Sequence, residues 1–229
     1  MRESFKAILE KIASIEDQVL DNTSMEVDLF TKKQDLDILK ILHPRSLGGY
    51  IKPLSLSTEQ PIKIFTQEAE PQTIYHTISP TTYGNLLIAT TDLGVCYVSF
   101  LSDDSLKNLQ TTFPESEHKN LKTNIHEIAI NYLANKPVKT LPLHIKGTSF
   151  QQQVWESLLH IPRGQLSTYK HIAIALNKPR ASIAVGAAVG KNPIALFIPC
   201  HRVIRSSGLW NGYRWGNKYK AALLAYELT

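Results

Sequence analysis

Ser167-Thr-Tyr-Lys-His-Ile-Ala-Ile-Ala-Leu176 reads as a short helix capped by Ser167 or Thr168, and Asn177-Lys-Pro179 as a tight turn. Arg180-Ala-Ser-Ile-Ala-Val-Gly-Ala-Ala-Val-Gly190 reads as a second helix. Two short helices around a brief turn outline a helix-turn-helix. Ala181, Ala184, Gly186, Ala187, Ala188 and Gly190 would let the second helix approach another surface closely. Packing against the core accounts equally well for some of them.

Downstream lies Ile198-Pro-Cys-His-Arg-Val203. Only one other cysteine, Cys96, is present, which argues against a disulfide framework or a thiolate metal site. A free thiol has a pKa of about 8.5 and needs a base or a positive charge beside it to become a nucleophile. His201 and Arg202 supply a basic neighbourhood. A cysteine after an apolar run can also be an ordinary small core residue.

Charge is unevenly distributed. Met1–His144 carries 14 Lys+Arg against 18 Asp+Glu, a net of −4, whereas Ile145–Thr229 carries 11 against 2, a net of +9. A basic half of this kind faces an anionic partner, most often nucleic-acid phosphate. No apolar run is long enough to span a membrane, and the charged N-terminus lacks a signal-peptide core. With a free thiol, these features suit a reducing interior, and a cytoplasmic, nucleoid-associated protein is expected.

The 229 residues suffice for one large or two small domains. Residues 4–20 have the apolar spacing of an amphipathic helix, and Asp35 to Leu42 gives a second candidate. Residues 43–73 read as irregular. From Ile74 onward, strands over Tyr83–Thr90 and Val95–Leu101 flank the turn signal Asp92-Leu-Gly94. Asp103-Asp104-Ser105 can cap a helix to Thr112, Asn120–Ala134 is helical, and Thr140–Ile145 is a short strand. Ser149 can cap a helix through about Leu159, which Ile161-Pro-Arg-Gly164 ends. The expected organisation is α+β: residues 1–73 as an extension with no legible chemistry, 74–144 as a small α+β domain, and 145–229 as a mostly helical domain.

From about Thr73 to Leu228 the chain resembles the O6-alkylguanine-DNA alkyltransferases, also called methylated-DNA–protein-cysteine methyltransferases. The resemblance rests on Gly147-Thr-Ser-Phe-Gln-Gln-Gln-Val-Trp155, Ile161-Pro-Arg-Gly164, Ala184-Val-Gly186, Asn192-Pro193, Ile198–Val203 and Gly212-Tyr-Arg-Trp-Gly216. The last stretch is most similar to the bacterial adaptive-response subgroup, although residues 1–73 contain no cysteine for that subgroup's zinc domain. The resemblance implies a ribonuclease H-like α/β domain followed by the helix-turn-helix domain. It also implies direct reversal of O6-alkylguanine, chiefly O6-methylguanine, in double-stranded DNA approached from the minor groove. The damaged base is flipped out, at a cost of a few kcal/mol, and its alkyl group passes irreversibly to the protein. A monomer that needs no cofactor and no metal is implied.

By position, the resemblance makes Cys200 the nucleophile, His201 its base and Glu227 the group that orients the imidazole. An extended motif would turn Cys200 and His201 to opposite sides, so a bridging water would carry the proton. Asn192 matches a hinge asparagine and Tyr169 the tyrosine that donates to the departing guanine. Tyr213 would wall the pocket, and the Val203 carbonyl would accept the guanine amine. Lys170, Lys178 and Ser206 match positions that contact the DNA backbone. The arginine that fills the vacated stack is replaced by Ile183, and Arg180, one helical turn earlier, is a candidate substitute. A non-enzymatic alkylated-DNA-binding relative and a damage-responsive transcriptional regulator are the alternatives. The intact Cys200 argues against the first, and the lack of metal ligands in residues 1–73 against the second. All matched residues lie after residue 73, so a 74–229 fragment is expected to keep its activity.

Overall fold

The computed structural model describes residues 4–13, 44–56, 61–66, 69–210 and 212–228. Six strands form one mixed sheet: β1 (Ile62–Thr66), β2 (Thr73–Thr81), β3 (Gly84–Thr90), β4 (Val95–Phe100), β5 (Glu117–Asn120) and β6 (Leu141–Ile145). Their spatial order is β1-β6-β4-β3-β2-β5. The expected hairpin is its centre. β4 is buried along its whole length and β3 over its last five residues, as runs of Leu, Ile, Val and aromatic side chains dictate for inner strands. Antiparallel pairing aligns Leu86 with Phe100 and Ile88 with Val98, and a bulge follows at Ala89/Thr90.

Residues 43–73 are not irregular throughout. Helix α2 (Pro44–Gly48) lies there, and β1 pairs in parallel with β6, Ile62 opposite Leu141 and Thr66 opposite Ile145. The first helix is observed as α1 (Phe5–Ala13); its expected continuation through residues 14–20, and the helix at Asp35–Leu42, lie outside the described residues. The apolar face of α1 buries Phe5, Ile8 and Ile12 in the same core as the C-terminal part of the chain. Two strands went unread: β2, which pairs antiparallel with β3, and β5, which pairs parallel with β2. β5 occupies the start of the helix expected over 120–134, which begins only at Asn124.

Helices α3 (Ser105–Thr112) and α4 (Asn124–Leu133) complete the sheet-bearing part. Thr123 and His126 form a reciprocal cap at the start of α4. The C-terminal part contains α5 (Ser149–Leu158), α6 (Tyr169–Ala175), α7 (Ser182–Gly190) and α8 (Asn217–Leu228). Thr148, not Ser149, caps α5, in a box with Gln151. The Trp155 indole donates to the Ala188 carbonyl at 2.8 Å and ties α5 to α7. Gly147 is required beside that ring, since a Cβ there would stand 2.7 Å from it. The helix-turn-helix forms as α6 and α7, with the Thr168 hydroxyl accepting from the His171 amide at 3.1 Å. A two-stranded parallel ribbon then links it to the cysteine motif: β7 (Ser167–Thr168) pairs with β8 (Val203–Ile204).

Candidate active site

Cys200 opens a single 3-10 turn, Cys200–Arg202, so the motif is not extended as the sequence suggested. The residue is 4% exposed. The approach to it is held by Asn192, whose amide Nδ2 lies 3.2 Å from the Ile194 carbonyl, 3.0 Å from that of Ile198 and 3.1 Å from Cys200 Sγ. Its Oδ1 accepts from the Ile194 amide at 2.9 Å. One buried side chain thus clamps the loop and donates to the sulfur. Within this loop Leu196 takes φ 67°, a left-handed conformation rare for a bulky residue.

His201 points Nε2 at Glu227 Oε1, 3.1 Å away, on α8. Glu227 also accepts from Arg202 Nε at 2.8 Å and Nη2 at 2.9 Å, and Arg202 Nη1 donates to the Ile161 carbonyl. Burial pushes the Glu227 carboxyl up, but His201 and the forked Arg202 pull it far below the usual carboxylate range. Burial lowers the His201 pKa despite the pull of Glu227, so the imidazole is neutral at neutral pH. With Nε2–H directed at the carboxylate, Nδ1 carries the free lone pair. Nδ1 has no hydrogen-bond partner among the described protein atoms. Behind this triad a cavity of about 580 Å³ reaches His201, Arg202 and Glu227 from solvent.

Arg202 therefore does not serve the thiol, contrary to the sequence reading. The cation acting on Cys200 is Lys220, fully buried on α8 and donating to the Val203 carbonyl at 2.9 Å. Burial lowers its ammonium pKa to about 8, against the pull of Cys200. Burial also raises the Cys200 thiol, while Asn192 and Lys220 act in the opposite direction. The resting sulfur is protonated, in surroundings that reduce the cost of ionising it. Lys220 escaped the sequence reading, although it stands seven residues before Glu227, two turns along one helical face.

Two tyrosines complete the site. Burial and the neighbouring Cys200 raise both phenols, Tyr213 strongly. The β7–β8 pairing brings Tyr169, the first residue of α6, toward Cys200, and Arg205 acts on its phenol as well. Of the sequence-named residues, Cys200, His201, Glu227, Asn192, Tyr169, Tyr213 and Val203 converge. Lys170, Arg180, Ile183 and Ser206 instead lie exposed on the surface. Lys178 reaches Gln153 of α5 at 3.2 Å. Arg180 precedes α7, whose cap is Ala181, so the helical relation to Ile183 expected from the sequence does not hold. Ile183 is 91% exposed at the head of that helix. Among the described residues no His, Cys, Asp and Glu cluster suits a metal ion, and no helix is long and apolar enough to cross a membrane.

Fold and site together define a buried cysteine, with a histidine–glutamate pair and a buried lysine around it, set beside a helix-turn-helix. Residues 149–229 match the family model described as 6-O-methylguanine DNA methyltransferase, DNA binding domain. A methylated-DNA–protein-cysteine methyltransferase of Methanosarcina barkeri is 36% identical over 154 residues, 67% of this chain and 97% of the relative. The chain belongs to this family. The bifunctional transcriptional activator/DNA repair enzyme Ada of Escherichia coli is also 36% identical, over 171 residues, 72% of this chain. The chain spans only about half of that relative, 48% of its length. Among solved structures, Mycobacterium tuberculosis OGT in complex with DNA matches with a TM-score of 0.53 and 33% identity, covering 68% of this chain and 92% of that one.

Proposed function

We propose that this chain repairs O6-alkylguanine in DNA, chiefly O6-methylguanine, by moving the alkyl group onto Cys200, once per molecule. The observation that carries the reading is the arrangement of Asn192, Lys220 and the His201–Glu227–Arg202 network around one buried sulfur. In this reading the thiol proton passes through a water to His201 Nδ1, and the thiolate attacks the alkyl carbon in line. The carbon–oxygen bond breaks toward O6, Tyr169 donates a hydrogen bond to the leaving guanine, which takes up one proton from solvent, and the imidazolium releases one proton to solvent through the rear cavity. The products are a Cys200 thioether and guanine. A thiolate is a poor leaving group from a neutral thioether, so no turnover follows. The sulfur's depth means that a stacked base cannot reach it, which supports flipping into a pocket walled by Tyr213. The Val203 carbonyl, with one lone pair taken by Lys220, keeps a second for the guanine amine.

The same reading has a monomer engaging the minor groove through α6 and α7, with Lys170, Lys178 and Ser206 near phosphates. The sheet-bearing part corresponds to a ribonuclease H-like domain. Genomic DNA as substrate places the protein inside the cell at the nucleoid. Intact-mass measurement after incubation with an O6-methylguanine oligonucleotide tests the proposal: one methyl should be gained, on the Cys200 peptide. No mass gain with a folded protein refutes it.

His201→Ala should slow transfer by about 10²–10⁴-fold, the usual worth of a positioned general base. Because burial holds the imidazole below 6.5, the acid limb of the wild-type rate profile is expected beneath that value. A limb at or above it, or an unchanged rate in the variant, removes His201 from the mechanism.

Ile183 stands where the resemblance calls for an arginine. An apolar side chain can wedge between base steps but cannot bond to the orphaned partner base. Single-stranded or mispaired substrates should therefore react faster than paired duplex. Ile183→Arg should raise the duplex rate selectively, by roughly tenfold if ~1.4 kcal/mol of flipping cost is recovered. Equal wild-type rates on the two substrates, with a ratio unmoved by the substitution, would show that α7 does not limit flipping.

A further inference from the structure

A second cavity, of about 340 Å³, lies on the other side of the Gly212–Gly216 loop, between that loop, β4 and the start of α3. Tyr97 and Ser99, two residues apart on β4, share the face that borders it, and Asn108 of α3 joins them. Arg214 brings a guanidinium from the loop, while Trp215 and Tyr219 supply aromatic walls. Among the described residues no carboxylate lines the space; Asp103 and Asp104, near the same helix end, are exposed and stand outside the lining.

The Ser99 hydroxyl is the telling group. Ser99 is 3% exposed, and its Oγ makes no hydrogen bond of good geometry within the described protein, its one polar neighbour being the Tyr97 phenol on the same face. Buried hydroxyls rarely stay unpaired, because desolvation without a partner is costly. Ser105 cannot supply one, since its own hydroxyl already accepts from the Ser102 amide and donates to the Phe100 carbonyl. Burial raises the Tyr97 phenol, with Ser99 and Arg214 acting against that shift, so the three polar groups converge. Hydroxyl, phenol, amide and guanidinium donors without an acid match an oxyanion.

We propose that this cavity binds a small phosphate monoester, held by Arg214, Ser99, Tyr97 and Asn108, and that the bound phosphate pins the Gly212–Gly216 loop against the sheet. The volume exceeds what a bare phosphate fills, leaving room for a flat substituent against Trp215. Arg214 adjoins Tyr213 in sequence, so occupancy fixes the wall beside Cys200. That effect on transfer rests on the function proposed above, whereas the binding does not.

The test is titration of the full chain with inorganic phosphate and with guanosine monophosphate, at ionic strength held constant with chloride. Trp155 and Trp210 are buried and Trp215 is partly exposed, so a fluorescence change absent from Trp215→Phe reports the site. Saturable binding is expected, weakened at least about tenfold by Arg214→Gln and measurably by Ser99→Ala. Phosphate should also raise the melting temperature of wild type more than that of Ser99→Ala, which controls for a merely structural hydroxyl. No saturable response up to about 10 mM, or equal responses in wild type and both variants, overturns the site. Competition by undamaged duplex, whose backbone phosphates are diesters, overturns the monoester assignment, and additive binding supports it. If phosphate binds as described but no methyl transfer occurs, the catalytic proposal fails while this one stands.

Discussion

Replacing Cys200 with serine is expected to abolish alkyl transfer while leaving DNA affinity nearly unchanged. Reaction at an alkyl carbon depends on a soft, ionised sulfur. The site favours that ionisation through the Asn192 donor at 3.1 Å and the Lys220 ammonium. A hydroxyl in the same place keeps the shape and the clamp but is far harder to deprotonate, and neutral His201 is too weak a base to ionise it. The exposed Lys170 and the other groups proposed to meet phosphate are untouched. Mass spectrometry of the Cys200→Ser variant should therefore find no methylated protein after an incubation that converts wild type completely, while a binding isotherm on undamaged duplex superimposes. A serine variant that demethylates the oligonucleotide at a comparable rate would remove the sulfur from the mechanism.

Deletion of residues 1–73 is expected to unfold the protein or cost most of its stability, the reverse of what the placement of the motifs suggested. The deletion strips β1 from β6 and exposes that strand's hydrogen-bonding edge. It also removes Phe5, Ile8 and Ile12 from the core, each buried side chain worth about 1.5–3 kcal/mol. Typical domains hold only about 5–15 kcal/mol in total. The ring of Phe5 lies 5.2 Å from that of Tyr83 and 5.8 Å from that of Tyr226, the neighbour of Glu227. Loss of α1 thus loosens the helix that carries both Glu227 and Lys220. Phe5→Ala in the full chain should lower stability by about 3–5 kcal/mol and slow transfer without touching any reacting group. A 74–229 fragment with an unchanged melting temperature and rate would show that the N-terminal third is dispensable.

The part of the site legible in the residues themselves was the contiguous cysteine motif, and Asn192, Glu227, Tyr169 and Tyr213 were named through the family resemblance. Cys200, His201, Asn192 and Glu227 meet because the 3-10 turn, the Asn192 clamp and α8 bring them together. Lys220 was hidden because a lysine within Asn-Lys-Tyr-Lys reads as solvated, and its burial depends on where α8 packs. Arg202 was misassigned for the opposite reason: adjacency in sequence suggested service to the thiol, whereas the turn rotates its guanidinium onto Glu227. In the sheet, β3 and β4 announced themselves by apolar runs. β2 is rich in Thr, His, Ser and Pro, and β5 is wholly polar, so neither offers a two-residue alternation. β5 and β1 take their identity from partners far along the chain, β2 and β6, whereas β2 is the first arm of a tight hairpin with β3 that its polar composition hid.

The β7–β8 ribbon has a consequence for scale. Ser167 opposite Val203, and Thr168 opposite Ile204, fasten the first residue of α6 to the strand that leaves the cysteine turn. The element that would grip the duplex and the atom that would react are thereby tied to each other by backbone pairing. Under the proposed function the lesion, rather than the sulfur, would then travel the distance between them. Damage would then be sorted largely by how readily a nucleotide swings out of its helix.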